Sequence, residues 1–159
     1  RVDRRNTTGH QGMTPTIRSI LLAEDSPADA EMAIDALHEA HLANPIVHVQ
    51  DGLEAMHYLH RRGKYADRPE GLPAVLLLDI KMPRMDGLEV LRQLRDDEQL
   101  KRLPVVVLTS SREESDLARS WDLGVNAYVV NPGDSEQFFT AVKTLGRFWA
   151  VLNETPSSL

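Results

Sequence analysis

Five short apolar runs alternate with longer polar and amphipathic stretches along the chain. One of them, residues 75–78, follows Pro73 and ends at Asp79, and its shortness favours a buried strand over a helix. Strands that are apolar throughout are typical of the interior of a parallel sheet. The predicted strands cover residues 17–23, 46–49, 75–79, 104–108 and 127–130.

The stretches between the strands carry apolar residues at helical spacing. Asp25, Ser26 and Pro27 supply a helix start, and Asp86 is placed to cap a helix that begins at Gly87. Helices are predicted over residues 27–40, 87–95, 112–123 and 134–152, with another that carries Leu53, Met56 and Leu59 and a polar loop over 61–73. Five strand–helix units in succession predict a doubly wound α/β fold.

Polar side chains follow the ends of four predicted strands: Glu24 and Asp25, Asp79, Thr109 and Asn131. In an open parallel sheet, ligands bind beyond the carboxyl ends of the strands, so we expect these side chains to converge. Crowded carboxylates repel one another, and Mg²⁺, which prefers oxygen ligands, relieves that repulsion. A carboxylate beside Mg²⁺ can attack phosphorus and form an acyl phosphate. The pattern therefore predicts phosphoryl chemistry at this edge.

Composition narrows the classes of protein that fit. The length of 159 residues suits one domain, and a net charge of −6 argues against nucleic acid as the main partner. The absence of Cys excludes disulfides and is typical of the cytoplasm. No apolar stretch approaches the length of a membrane span. We expect one domain over residues 17–152, with a polar N-terminal tail (1–16) and a short C-terminal tail (153–159).

Several motifs occur in the order and spacing of the receiver domain of two-component response regulators, which the chain resembles from residue 17 to residue 152. The resemblance implies a flavodoxin-like, five-stranded parallel sheet with strand order 2-1-3-4-5. The motifs are Glu24-Asp25, the run from Leu76 through Asp79 to Gly87, Val-Val-Leu-Thr109-Ser, and Gly124-Val-Asn-Ala-Tyr-Val-Val-Asn131-Pro132.

The resemblance also implies roles for individual residues. Asp79 would accept a phosphoryl group from a sensor histidine kinase, and Thr109 and Tyr128 would be switch residues. The loop 61–73 and the Phe148-Trp149 pair are similar to stand-alone regulators that work with bacterial phytochromes, which would make the kinase a bacteriophytochrome. The implied Mg²⁺ ligands are Glu24, Asp25, Asp79 and the backbone carbonyl of Lys81.

The chain departs from the family at Asn131, where the family has a lysine before a proline. Asn offers only neutral donors, and hydrogen bonds to charged groups contribute about 1.5–3 kcal/mol against about 1 kcal/mol for neutral ones. A loss of about 1–2 kcal/mol of coupling lowers a phosphorylation-driven population shift by roughly 5–30-fold. We expect a regulator that takes phosphate but switches weakly, or one that uses a different switch.

Two helices carry apolar residues beyond those needed for a core. Leu117 and Trp121 lie four residues apart, on one face of their helix. Phe139, Phe148 and Val151 lie off the core stripe of the last helix. A helix that is apolar on more than one face needs a second partner, so we expect these residues to form a homodimer or partner face.

Other functions compete with a phosphoacceptor module. An Asp nucleophile with Mg²⁺ also serves phosphatases of the haloacid-dehalogenase type, but these need a second Asp two residues on, where this chain has Lys81. Asn131 favours a phosphorylation-independent dimeric interaction module. Nucleotide binding is disfavoured because no Gly-rich phosphate loop follows the first strand.

Overall fold

The computed structural model of the chain describes residues 17–110, 113–131 and 133–152. The five strands are β1 (Ile20–Ala23), β2 (Ile46–Val49), β3 (Val75–Leu78), β4 (Val105–Thr109) and β5 (Ala127–Val130). The helices are α1 (Pro27–Glu39), α2 (Gly52–Leu59), α3 (Gly87–Asp96), α4 (Glu114–Asp122) and α5 (Ser135–Arg147). The predicted tails, 1–16 and 153–159, lie outside the described residues, as does Arg112, the predicted start of the fourth helix.

The strands form one parallel sheet in the order β2-β1-β3-β4-β5, which confirms the predicted fold. Successive strand residues face opposite sides, so each strand contributes to two cores. On one side, residues such as Leu21, Leu76 and Val107 pack against α2 and α3. On the other, residues such as Leu22 and Leu77 pack against α1 and α5. This double burial is why the strands are apolar throughout.

The largest differences from the sequence prediction are at the start of β1, at the end of α5 and in the 61–73 loop. The first strand begins at Ile20 instead of residue 17, because its neighbours β2 and β3 begin opposite Ile20. The final α-helix ends at Arg147 and continues as a π-helical turn over Phe148–Leu152. A short 3₁₀ helix, Gly63–Tyr65, lies within the loop that was predicted to be irregular.

The 61–73 loop is fastened to the end of α2 by Arg68. Its guanidinium lies 4.4 Å from the centre of the Tyr58 ring and donates hydrogen bonds to the carbonyls of Tyr58 and Leu59. The Tyr58 hydroxyl in turn lies 2.9 Å from that of Ser19, just before β1. The loop therefore closes against the end of the sheet opposite to the carboxyl ends of the strands.

Side-chain caps start α1, α2, α3 and α5, whose first turns face those carboxyl ends. Ser26 caps α1 with Pro27 as its first residue, and Asp86 caps α3, as the sequence predicts. Asp51 and Asp134 cap α2 and α5 in the same way.

Within the described ranges, no helix has the length and apolar character required to cross a bilayer.

Candidate functional site

Three carboxylates gather where β1 and β3 end. Glu24 and Asp25 directly follow β1, and Asp79 directly follows the neighbouring strand β3. Each of the three offers an oxygen, and these oxygens all lie within 4.8 Å of one another. Glu24 and Asp79 are each only 8% exposed, while Asp25 is exposed. The predicted convergence of these carboxylates is present in the structure.

Backbone groups hold the first of these side chains in place. The Ser26 N–H at the start of α1 donates to a Glu24 carboxylate oxygen at 3.0 Å. The Glu24 N–H continues the sheet by donating to the Val49 carbonyl at 3.1 Å. His48 Nε2 donates to the Glu24 carbonyl at 2.8 Å. Glu24 is thereby fixed by β2 and by the first turn of α1.

Asp79 is fixed by its neighbours on both sides of β3. Its N–H donates to the Ala23 carbonyl of β1 at 3.0 Å, and its Oδ1 accepts the N–H of Ile80 at 2.8 Å. The hydroxyl of Thr109, the last residue of β4, hydrogen-bonds to the Asp79 carboxylate. Gly87 lies so close that a Cβ there would overlap the Asp79 carbonyl oxygen, so this position requires glycine. The carboxylate is therefore presented in one orientation.

The electrostatics of the site show uncompensated negative charge. Burial, followed by repulsion from Asp79, raises the pKa of Glu24 from 4.5 to about 8. Burial also raises the pKa of Asp79, although hydrogen bonds from Thr109 and the Ile80 N–H act in the opposite direction. Because the two carboxyls are buried side by side, the pair holds a proton to a higher pH than separate carboxyls in water do.

This donor set fits a divalent cation of the Mg²⁺ type. The available ligands are all oxygens, and Mg²⁺ binds through one or two carboxylates together with waters and phosphate oxygens. A bound cation would stabilise the ionised forms of Glu24 and Asp79 and so act against the burial and repulsion that raise their pKa values. The Lys81 carbonyl stays a predicted ligand.

The loop between β3 and α3 is hydrogen-bonded to the start of α2, a contact that the sequence pattern did not indicate. Arg84 Nε donates to Asp51 Oδ2 at 2.8 Å, and Asp51 Oδ1 accepts the Glu54 N–H at 2.8 Å. The Gly52 N–H donates to the Met85 carbonyl at 3.0 Å, and a Cβ on Gly52 would overlap that oxygen. These contacts join two loops that are far apart in sequence.

Two predicted switch positions lie on the β4–β5 side of the site. The Asn131 N–H donates to the Thr109 carbonyl at 2.7 Å, which places the two residues side by side. The Asn131 side-chain carbonyl accepts the Gly133 N–H at 3.0 Å and so caps its own turn. Tyr128 pairs with Val107 in the ladder and is half-buried against the core. The switch roles of Thr109 and Tyr128 stay predictions.

The Lys81 side chain makes a contact that the sequence did not indicate. Its ammonium lies 3.4 Å from an Asp116 carboxylate oxygen and 3.7 Å from a Glu113 oxygen. Asp116 belongs to α4 and Glu113 directly precedes it. Lys81 therefore links the loop after β3 to the helix after β4.

Four of the five residues predicted for the partner face are exposed. Trp121 is 53% exposed and Val151 is 64% exposed, and Leu117 and Phe148 are exposed as well. Phe139 differs from the expectation, because it is half-buried and packs against the cluster between the sheet, α1 and α5. Because α5 packs against both the sheet and α1, residues at the margin of its buried face are partly covered as well.

Comparison with known proteins identifies close relatives of this arrangement. A family model described as response regulator receiver domain matches residues 20–143. Response regulator Rcp1 of Synechocystis is 38% identical over 130 residues, which cover 82% of this chain and 87% of Rcp1. The structure of its Mn²⁺-bound form has a TM-score of 0.81 at 36% identity, covering 88% of this chain and 99% of Rcp1.

Two further solved structures are regulators of phytochrome systems. The phosphorylated cyanobacterial phytochrome response regulator RcpA has a TM-score of 0.81 at 40% identity, covering 88% of this chain and 99% of RcpA. The bacteriophytochrome response regulator AtBRR has a TM-score of 0.71 at 54% identity, covering 88% of this chain and 100% of AtBRR. The resemblance to regulators of this group, first noted from the 61–73 loop, is confirmed.

Proposed function

Because the chain belongs to the response regulator receiver domain family, we propose that Asp79 is the residue that accepts the phosphoryl group. The observation that carries this assignment is the gathering of Glu24, Asp25 and Asp79 oxygens within 4.8 Å. Asp79 combines a fixed carboxylate, a neighbouring hydroxyl on Thr109 and a position at the end of a central strand. A carboxylate in such a setting attacks phosphorus and forms an acyl phosphate.

The resident cation in this proposal is Mg²⁺, held by Glu24, Asp25 and Asp79 with the Lys81 carbonyl. When bound, it would neutralise charge that develops on the transferred phosphoryl oxygens. The protein contributes position: the Ser26 N–H orients the Glu24 carboxylate, and the Thr109 hydroxyl would bind a phosphoryl oxygen. Support for a divalent ion also comes from the Mn²⁺-bound form of Rcp1.

The phosphodonor in this proposal is a sensor histidine kinase of the phytochrome type. Support comes from RcpA and AtBRR, whose descriptions name a cyanobacterial phytochrome and a bacteriophytochrome. The family is a signalling family, and the output of this chain would be contact with other proteins, in the cytoplasm. A basic nucleic-acid surface is not expected from a chain with a net charge of −6.

We also propose that the chain forms a homodimer through exposed apolar residues of α4 and of the turn after α5. Leu117 and Trp121 lie on one face of α4, and Phe148 and Val151 extend beyond the core stripe of α5. A dimer that forms without phosphorylation is the second candidate function. The Asn131 side chain favours it, because its carbonyl is engaged by Gly133 and its amide carries no charge.

Incubation with Mg²⁺ and a small phosphodonor such as acetyl phosphate separates these functions. Intact mass spectrometry should show an acid-labile gain of one phosphoryl group, which disappears in Asp79→Ala. Asp96→Asn, at an exposed carboxylate of α3, is the matched control and should be phosphorylated normally. A wild-type chain that gains no phosphoryl group but sediments as a dimer would favour the second candidate.

A further inference from the structure

Two contacts join the end of β3 to the end of β4 and the helix that follows it. At the sheet, Thr109 hydrogen-bonds to Asp79. Two residues beyond Asp79, the Lys81 ammonium lies within 3.4 Å of Asp116 and 3.7 Å of Glu113. Lys81 therefore spans the same edge of the sheet at which the phosphoryl group of the proposed function would form.

The two ends of this bridge differ in exposure to solvent. The Lys81 side chain is 59% exposed, whereas that of Asp116 is only 7% exposed. Attraction to Asp116 and then to Glu113 raises the pKa of Lys81, so the ammonium is charged at neutral pH. A lysine head group on a flexible four-carbon stem can change partners without disturbing the core.

Asp79, the proposed phosphorylation site, is two residues from Lys81 in the chain. Adjacent residues of an extended chain are about 3.3–3.6 Å apart per step, so the backbones of Asp79 and Lys81 are within about 7 Å. The nearby Arg84 is committed elsewhere, since its guanidinium binds Asp51 at the start of α2. Lys81 points along the edge towards the Thr109 side of the site, where α4 begins.

Phosphorylation changes the balance of charge around Lys81. A phosphoryl group carries about −1.5 to −2 charges at neutral pH, while Asp79 loses one negative charge on becoming an acyl phosphate. The family's usual cation for this group is replaced by Asn131, whose side-chain carbonyl is engaged by Gly133. The site therefore gains negative charge, and no lysine stands at the family's usual position to neutralise it.

We propose that Lys81 is the switch cation of this chain: its ammonium leaves Asp116 and Glu113 and pairs with the phosphoryl group on Asp79. The exchange removes the tie between the β3–α3 loop and α4. Since α4 carries Leu117 and Trp121 of the proposed partner face, the exchange couples the phosphorylation site to that face. This inference rests on phosphoryl acceptance by Asp79.

Lysine NMR tests the exchange directly. The chain has four lysines, Lys64, Lys81, Lys101 and Lys143. Reductive ¹³C-dimethylation keeps their charge, and Lys81→Gln assigns the Lys81 signal by its loss. On phosphorylation with acetyl phosphate and Mg²⁺, the Lys81 signal should shift, while that of Lys101, which pairs with Glu98 at 2.7 Å, should not.

Hydrogen exchange of residues 114–122 supplies a second readout. Loss of the bridge should speed exchange in α4 by about 3- to 5-fold on phosphorylation of the wild type. Lys81→Gln should already show the faster α4 exchange before phosphorylation, and its exchange should change little afterwards. Lys81→Arg and the control Lys101→Gln should behave as the wild type. All samples are checked by intact mass for the phosphoryl group.

The outcomes separate this inference from the function on which it rests. A wild type without the phosphoryl mass gain contradicts the proposed function itself. A phosphorylated wild type with an unmoved Lys81 signal overturns the role of Lys81 alone. The same holds if phosphorylated Lys81→Gln changes its α4 exchange as much as the wild type does.

Discussion

The raised pKa of Glu24 predicts an unusual pH dependence of stability in the metal-free protein. The pKa of Glu24 is 4.5 in the unfolded chain and about 8 in the fold, so the folded state binds one more proton between these values. The contribution of Glu24 to the free energy of unfolding is fully present below about pH 4.5 and is lost as the pH rises through about 8. The raised pKa of Asp79 acts in the same direction.

The magnitude follows from proton linkage. One extra proton in the folded state lowers the free energy of unfolding by about 1.4 kcal/mol per pH unit, or about 2 kcal/mol between about pH 6 and about pH 7.5. A denaturant slope of about 2 kcal/mol per molar urea converts this to a midpoint shift of about 1 M. Glu24 is buried, so solvent screens little of this effect.

Urea denaturation in the presence of a chelator, followed by circular dichroism, measures the shift. Glu24→Gln should flatten the pH dependence, and Glu54→Gln, at a carboxyl whose pKa is lowered to about 2, should leave it unchanged in this window. Millimolar Mg²⁺ should offset the loss at high pH, because the cation binds the deprotonated site. A midpoint that is constant or rises from about pH 6 to about pH 7.5 without metal would refute the reasoning.

Three further predictions concern other parts of the chain. Asn131→Lys should raise the phosphorylation-driven population shift on the β4–β5 side of the site, measured by NMR, by roughly 5–30-fold; an equal shift in both proteins would show that Asn131 does not weaken switching. Arg84→Met should lower the free energy of unfolding by about 1–3 kcal/mol, because the buried Asp51 carboxylate loses its cationic partner and keeps only the Glu54 N–H. Arg92→Met, at an exposed pair, should change it by less than about 0.5 kcal/mol. Trp121→Ser should weaken self-association in sedimentation experiments, and a wild type that is monomeric at high micromolar concentration would contradict the proposed dimer.

The fold and the carboxylate cluster were accessible from the sequence because each depends on short local patterns. Runs apolar on both faces indicate a covered parallel sheet, and the strand ends then bring Glu24, Asp25 and Asp79 together by topology alone. The cap at Asp86 could be predicted for the same reason, because a capping side chain bonds to a backbone N–H only three residues away.

Contacts between distant segments were not accessible in this way. Arg95 donates to the carbonyls of Leu103, Leu123 and Gly124, and so joins the end of α3 to the segments before β4 and β5. Nothing in the local sequence distinguishes this arginine from Arg92, which makes exposed pairs on the same helix. The difference arises only when the helix is docked on the sheet.

The half-burial of Phe139 shows a related limit. Helical spacing placed it off the core stripe, yet a helix that packs in a groove between a sheet and α1 buries a wider arc than one row of residues. Spacing predicts the centre of the buried face well and its margins poorly. The exposed residues Phe148 and Val151 follow α5 in the π-helical turn, where this constraint has ended.

Locating the phosphoryl group on the chain tests the central claim most directly. Borohydride reduces an acyl phosphate on Asp to homoserine, and peptide mass mapping then identifies the modified position. After treatment with acetyl phosphate and Mg²⁺, we predict homoserine at Asp79 and unmodified Glu24 and Asp25. Modification at another carboxylate, or none in a chain that gained phosphoryl mass, would contradict the account.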